Sequence, residues 1–234
     1  MDEYYEFDPK DFEIKEEEKQ EESPVFRFVK GVVALVLIFG LLHIFGFTNF
    51  LLYRTTSPDI EQVSVEIKTD APVLQVPLNI VVLTTPEEGY GSERSEESVL
   101  SLVENADRIW EQGGVELVIK AIHYEEKSNE LLGGLYQNPA LVINNVENFD
   151  SESINVFLVG NLGGINGVSF GGLNTVAVAD YTTVFDFRAL AHEVGHQLGL
   201  PHVPDSRMLM FQGANGFNLS IGEIEVARGN TERF

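Results

Sequence analysis

The chain has 234 residues, with 37 acidic against 15 basic side chains, a formal net charge of −22 and no cysteine. Such acidity excludes nucleic acid and anionic membrane as partners of the folded part, and the lack of cysteine excludes disulfides. Of that charge, 26 acidic and 9 basic residues lie beyond residue 54, a net of −17 over a stretch long enough to bury one core.

Residues 1–24 carry eleven acidic and three basic side chains and read as a solvated, disordered tail. Residues 25–53 read as a membrane-spanning signal-anchor. Within them the run from Gly31 to Leu52 contains no charged residue and is long enough to cross a bilayer. Lys10, Lys15, Lys19, Arg27 and Lys30 precede it, which favours a cytoplasmic N-terminus and an extracytoplasmic remainder. A cleaved signal peptide is the competing reading. The long charged stretch ahead of the run and the missing small-x-small site after it speak for a retained anchor.

After a linker at 54–74, a buried first strand is expected over 75–84, with Pro77 near its start or at an edge. An amphipathic helix over 93–112 places Val99, Leu102, Val103, Ala106, Ile109 and Trp110 at helical spacing, and Gly113-Gly114 ends it. Strands follow at 115–124 and 154–159, separated by a polar stretch at 131–148 that reads as loop with one helical turn. The glycine-rich segment after Gly160 lacks the spacing of a phosphate-binding loop, and a strand follows it at 175–179. A helix at 186–198 carries Phe187, Leu190, Ala191 and Val194 inward. The last helix opens on a capping box, Ser220 with Glu223, and turns Ile221, Ile224 and Ala227 inward.

The chemistry is concentrated in His192-Glu193-Val194-Gly195-His196-Gln197-Leu198-Gly199-Leu200-Pro201-His202. His192 and His196, four apart, project from one face of a helix and can hold one ion. Glu193 sits beside the metal, placed to take a proton from a water bound there. Gly199 can adopt the left-handed conformation that ends a helix, so the chain turns and delivers His202 as third ligand. Three protein ligands leave a fourth position for water, which is the catalytic form of a zinc site. His43 and His123 lie in strand-like or apolar surroundings and read as structural.

This stretch, together with Met210 eight residues beyond His202, resembles the metzincin superfamily of zinc endopeptidases. Residues 202–211 are similar to the matrixin pattern, and in that register Met210, rather than Met208, is the Met-turn methionine beneath the metal. Gln212 stands where astacins and serralysins carry tyrosine and matrixins usually carry proline, so the resemblance implies no tyrosine switch and a different wall to the adjoining pocket. The absence of cysteine removes the matrixin latency switch. The resemblance covers 75–234 and implies an α/β (α+β) fold: a mixed, mostly parallel twisted sheet with an antiparallel edge strand, two long helices and a C-terminal helix. Its edge strand would be Gly167, Val168, Ser169 and Phe170, where an extended polypeptide substrate could add its own backbone. One catalytic Zn2+ is implied. A structural Ca2+ could also sit among the glycine loops with Asp150 or Asp180, although turns without metal are the preferred reading.

The expectation is a membrane-anchored zinc endopeptidase with Glu193 as general base, contacting the bilayer through residues 31–52. A catalytically silent, zinc-containing peptide-binding or regulatory surface module is the alternative, and a non-peptidase zinc hydrolase a third. The intact Glu193 argues for activity, and a suitable edge strand for polypeptide substrates.

Overall fold

A computed structural model of the chain describes residues 72–234. The expected tail at 1–24, the signal-anchor at 25–53 with its bilayer segment 31–52, and the linker up to residue 71 lie outside the described residues. Among the described residues, no helix is long and apolar enough to cross a membrane.

The elements run β1 (Leu74–Thr84), α1 (Glu96–Trp110), β2 (Val115–Glu126), α2 (Asn129–Gly133), α3 (Pro139–Ile143), β3 (Ile154–Val159), β4 (Gly167–Phe170), β5 (Thr175–Ala179), α4 (Asp186–Gln197) and α5 (Ile221–Asn230). The strands form one five-stranded sheet in the order β2-β1-β3-β5-β4. The first four are parallel, and β4 runs antiparallel to β5 at the edge. This is the mixed, mostly parallel sheet with an antiparallel edge strand expected from the sequence.

A parallel sheet needs cover on both faces, and here the strands alternate between two cores. Val76, Leu78, Ile80 and Val82 of β1 join Val156, Leu158, Val176 and Val178 beneath α1 and α4. Val81, Leu83, Phe157, Val159, Ala177 and Ala179 point to the opposite face. All of β3 and β5 is buried, which is why both read as near-continuous apolar runs. Pro77 pairs in register with Val118 of β2, but the β3 ladder begins only at Leu78. The missing proline N–H therefore removes no bond on that side.

The stretch at 131–148 corrects the sequence reading. It holds two short helices rather than one turn, α2 capped by Ser128 and α3 by Asn138 with Pro139 at its first position. Their Leu132, Leu135, Val142 and Val146 close the second core. Glu125 fastens the stretch to β2: its carboxylate accepts from the Glu147 and Asn148 amides and from Asn148 Nδ2, and pairs with Lys127 at 2.9 Å.

Helix α1 starts at Glu96 rather than 93, because Ser95 caps it by accepting from the Ser98 amide. The expected apolar stripe of α1 is buried in full, and Gly114 (φ 60°) turns the chain into β2. Leu190, Ala191 and Val194 of α4 are fully buried, while Phe187 is half-buried and stacks on Phe185 and Phe217. The α5 capping box forms as expected, with both the Ser220 and the Glu223 hydrogen bonds present. Ile224 and Ala227 face inward, but Ile221 is 66% exposed, contrary to expectation. Its spacing puts it on the same side of the helix as Ile224, but at the first turn it is left in solvent.

Candidate metal centre

Helix α4 enters the site from a fixed point. Arg94, in the loop before α1, donates from Nε to Asp180 and from Nη1 to Asp186, each at 2.8 Å. Asp180 also accepts from Ser92 Oγ and the Glu93 amide. The end of β5, the start of α4 and the loop before α1 are thereby tied together. Asp150 accepts from Ser153, Glu152 and Lys120. Neither aspartate, each considered above for calcium, belongs to a cluster of three or more metal-ligating side chains among the described residues.

The three histidines of the motif do form such a cluster, with ligand atoms all within 4.8 Å of one another. His192 Nε2 lies 3.2 Å and His196 Nε2 3.1 Å from His202 Nε2. On the other side of each helix imidazole, Nδ1 meets a backbone carbonyl: His192 meets Leu209 O and His196 meets Leu200 O, both at 2.8 Å. Carbonyls only accept, so both Nδ1 atoms carry the proton and both Nε2 atoms present lone pairs. Burial holds His192 far below the ordinary imidazole range, to about 4, only partly offset by the Leu209 hydrogen bond; the Arg188 cation lowers it further. His196 is lowered too, mainly by burial. Neutral imidazoles whose lone pairs converge repel one another unless a cation lies between them. Zinc at about 2.0–2.1 Å from three tetrahedrally placed nitrogens would set them about 3.3 Å apart, close to the two separations from His202. The donor set therefore fits the metal.

The turn that delivers His202 is built as expected. Gly199 adopts φ +85°, and a Cβ there would stand 2.9 Å from Asn230 Nδ2. The Gly199 and Leu200 amides return to His196 O and Gly195 O at 3.1 and 2.9 Å, closing the helix end. The exposed His202 lies on the following loop, where the Val203 amide donates to Met210 O at 3.1 Å.

Met210 is fully buried and Met208 is not. A Cβ added to Gly195 would lie 2.6 Å from Met210 Sδ and 3.6 Å from Trp110. The glycine between the two helix histidines thus admits the Met210 thioether against α4. Met210 therefore packs on α4 at the glycine between His192 and His196.

Glu193 is 8% exposed, and burial pushes its carboxyl up to about 8, opposed in part by the Arg188 cation. Gly167, the first residue of β4, packs against Glu193. A Cβ there would come within 2.9 Å of Glu193 Cγ and 3.2 Å of Oε1. The edge strand thus lies against the glutamate, with Val168 and Phe170 turned to the second core. Ser169 Oγ accepts from Gln197 Nε2 at 2.8 Å, and the same Nε2 donates to Thr175 O.

The structure brings His192, Glu193, His196, Gly199, His202, Met210 and Gly167 together. Sequence reasoning missed two supporting residues, Gln197 and Arg188. Gln197 joins α4 to the edge strand. Arg188, 3% exposed, donates to the carbonyls of Leu209, Phe211 and Gly216. One signal was present: a charge four residues before His192, on an otherwise apolar helix face.

No family model and no curated protein matches the chain. Among solved structures it is similar to archaemetzincin from Methanopyrus kandleri, with 16% identity and a TM-score of 0.49 over 68% of this chain and 96% of that one. It is also similar to metalloproteinase-II from Bacteroides fragilis, with 15% identity and a TM-score of 0.42 over 69% of this chain and 54% of that one. A zinc-dependent peptidase from Methanocorpusculum labreanum aligns at 11% identity and a TM-score of 0.37, over 66% of this chain and 99% of that one. At identities this low, the chemistry of the site rests on its own geometry.

Proposed function

We propose that this chain is a membrane-anchored zinc endopeptidase of the metzincin type, with its catalytic domain on the extracytoplasmic side. The observation that carries this reading is the convergence of three imidazoles, with His202 Nε2 3.1–3.2 Å from the Nε2 atoms of His192 and His196 and all three ligand atoms within 4.8 Å, beside a buried glutamate and an edge strand. His192, His196 and His202 would hold the ion. When bound, zinc supplies a Lewis acid that acidifies water and polarises a carbonyl.

Glu193 is the general base. Burial raises the Glu193 carboxyl to about 8, and the adjacent zinc cation would return it to the charged form; that carboxylate takes a proton from the attacking water, whose oxygen bonds to the scissile carbonyl carbon. The same proton passes to the leaving amine as the C–N bond breaks. Burial keeps bulk water from competing for that carboxylate. Strand β4, free along one edge among the described residues, offers an extended polypeptide a backbone to pair with, and Gly167 keeps the approach to Glu193 clear. The membrane anchor is supported by the uncharged run at 31–52, and the orientation by the basic residues before it.

The test is the full-length chain carrying Glu193→Ala. Hydrolysis of a peptide library should vanish while zinc stays near one per chain. Cleavage that survives the substitution overturns the assignment of the base.

A further inference from the structure

We propose that Arg188 is a positioning residue of the metal centre, holding the Met-turn segment so that His192 and His202 stay aimed at the ion; this rests on the metal-site reading above. Arg188 lies one helical turn before His192, with its guanidinium buried. All its acceptors are backbone carbonyls of the segment beyond His202: Leu209 at 2.6 Å, Phe211, and Gly216 at 3.4 Å.

The Leu209 carbonyl is shared. It accepts from Arg188 Nη2 through one lone pair and from His192 Nδ1, at 2.8 Å, through the other. The arginine and the first ligand are thus fastened to the same oxygen, and the imidazole's tilt follows wherever that oxygen goes. Second-partner hydrogen bonds of this kind set the orientation and basicity of a ligating histidine.

The two helix histidines differ in how they are held. The acceptor of His196 is Leu200 O, four residues on, in a turn closed by the Leu200 amide on Gly195 O. Local backbone geometry fixes it. The acceptor of His192 lies seventeen residues on, in a loop whose position no local bond to α4 determines. Arg188 supplies that constraint from within α4, beside a single bond from the Phe185 amide at the helix cap to Asn215 Oδ1. His202 depends on the same segment, because the Val203 amide donates to Met210 O.

Arg228 provides a matched control. It too donates to three backbone carbonyls, those of Gly113, Gly114 and Pro72, but it touches no residue of the centre. The experiment measures zinc affinity by chelator competition, the visible spectrum of the cobalt-loaded protein, and thermal stability. It compares the full-length wild type with Arg188→Met, Arg188→Lys and Arg228→Met. Arg188→Met is expected to weaken zinc binding about 10- to 100-fold and to shift the cobalt bands. Arg188→Lys keeps the buried charge but cannot span three carbonyls, and should lose about 10-fold; it carries the test if Arg188→Met does not fold. Arg228→Met should lose thermal stability yet keep the wild-type affinity and spectrum. Folded Arg188→Lys with affinity within about twofold of wild type and an unshifted cobalt spectrum overturns the proposal. A wild-type chain that binds no zinc overturns the metal centre and this proposal with it, a result distinct from loss confined to the Arg188 variants.

Discussion

Gly167→Ala separates the placement of the base from the binding of the metal. The added methyl would lie 2.9 Å from Glu193 Cγ, 3.1 Å from Ala177 O and 3.2 Å from Glu193 Oε1. Ala177 O belongs to β5, which is held between β3 and β4 and cannot retreat. The glutamate must therefore move, by about 0.5 Å to reach ordinary van der Waals contact. A displacement of 1 Å at a reacting group can cost about 100-fold, so this one should lower kcat/KM about 10-fold. Overpacking should cost about 1–3 kcal/mol, or roughly 2–4 °C in Tm for each kcal/mol. The three atoms nearest the new methyl belong to Glu193 and Ala177 rather than to an imidazole, so zinc content should not change. The assay is hydrolysis of a quenched-fluorescent peptide with zinc analysis on the same samples. Gly171→Ala, where a Cβ meets nothing within 4 Å, is the control. Wild-type kcat/KM in Gly167→Ala, or loss of zinc together with activity, would refute the reasoning.

Gly199→Ala puts a side chain at φ +85° and 2.9 Å from Asn230 Nδ2. It should cost about 1–2 kcal/mol in thermal unfolding and weaken zinc binding through His202, whereas unchanged affinity would detach the turn from the third ligand. Glu125 is raised by burial but brought down to about 2 on balance by the Glu147 and Asn148 amides, Lys127 and Asn148 Nδ2. Its folded value lies below its ordinary one of 4.5. The charged carboxylate therefore contributes stability above about pH 4.5, on the order of 3 kcal/mol, and loses it as pH falls towards about 2. In denaturant titrations the gap between wild type and Glu125→Gln should be wide at neutral pH and shrink with acid; a pH-independent gap would contradict this.

The ligands and the turn were legible because local spacing determines them. Four residues bring His192 and His196 to one helix face, and Gly199 with Pro201 marks where that helix ends. Strands β3 and β5 were legible because burial on both faces makes their sequences apolar throughout. Helices α2 and α3 were not, since five residues give too short a window for a helical period to show; only their caps, Ser128 and Asn138, were available signals. Arg188 and Gln197 escaped because their partners are carbonyls and a hydroxyl 21–28 residues away, contacts that carry no side-chain pattern. Ile221 was misplaced for a related reason: the first turn of a capped helix can look outward, and only packing against neighbouring elements decides it. The close approach of Gly167 to Glu193 likewise joins an edge strand to a helix far along the chain, and only tertiary structure displays it.

The most direct measurement is X-ray absorption at the zinc edge on the full-length chain loaded with one equivalent of metal. Three imidazole nitrogens at about 2.0–2.1 Å and one further oxygen, at the open position a peptidase requires, are expected. Substituting alanine for His202 should remove one imidazole from that shell. A shell without three imidazoles, or one unchanged by that substitution, would contradict the three-histidine centre.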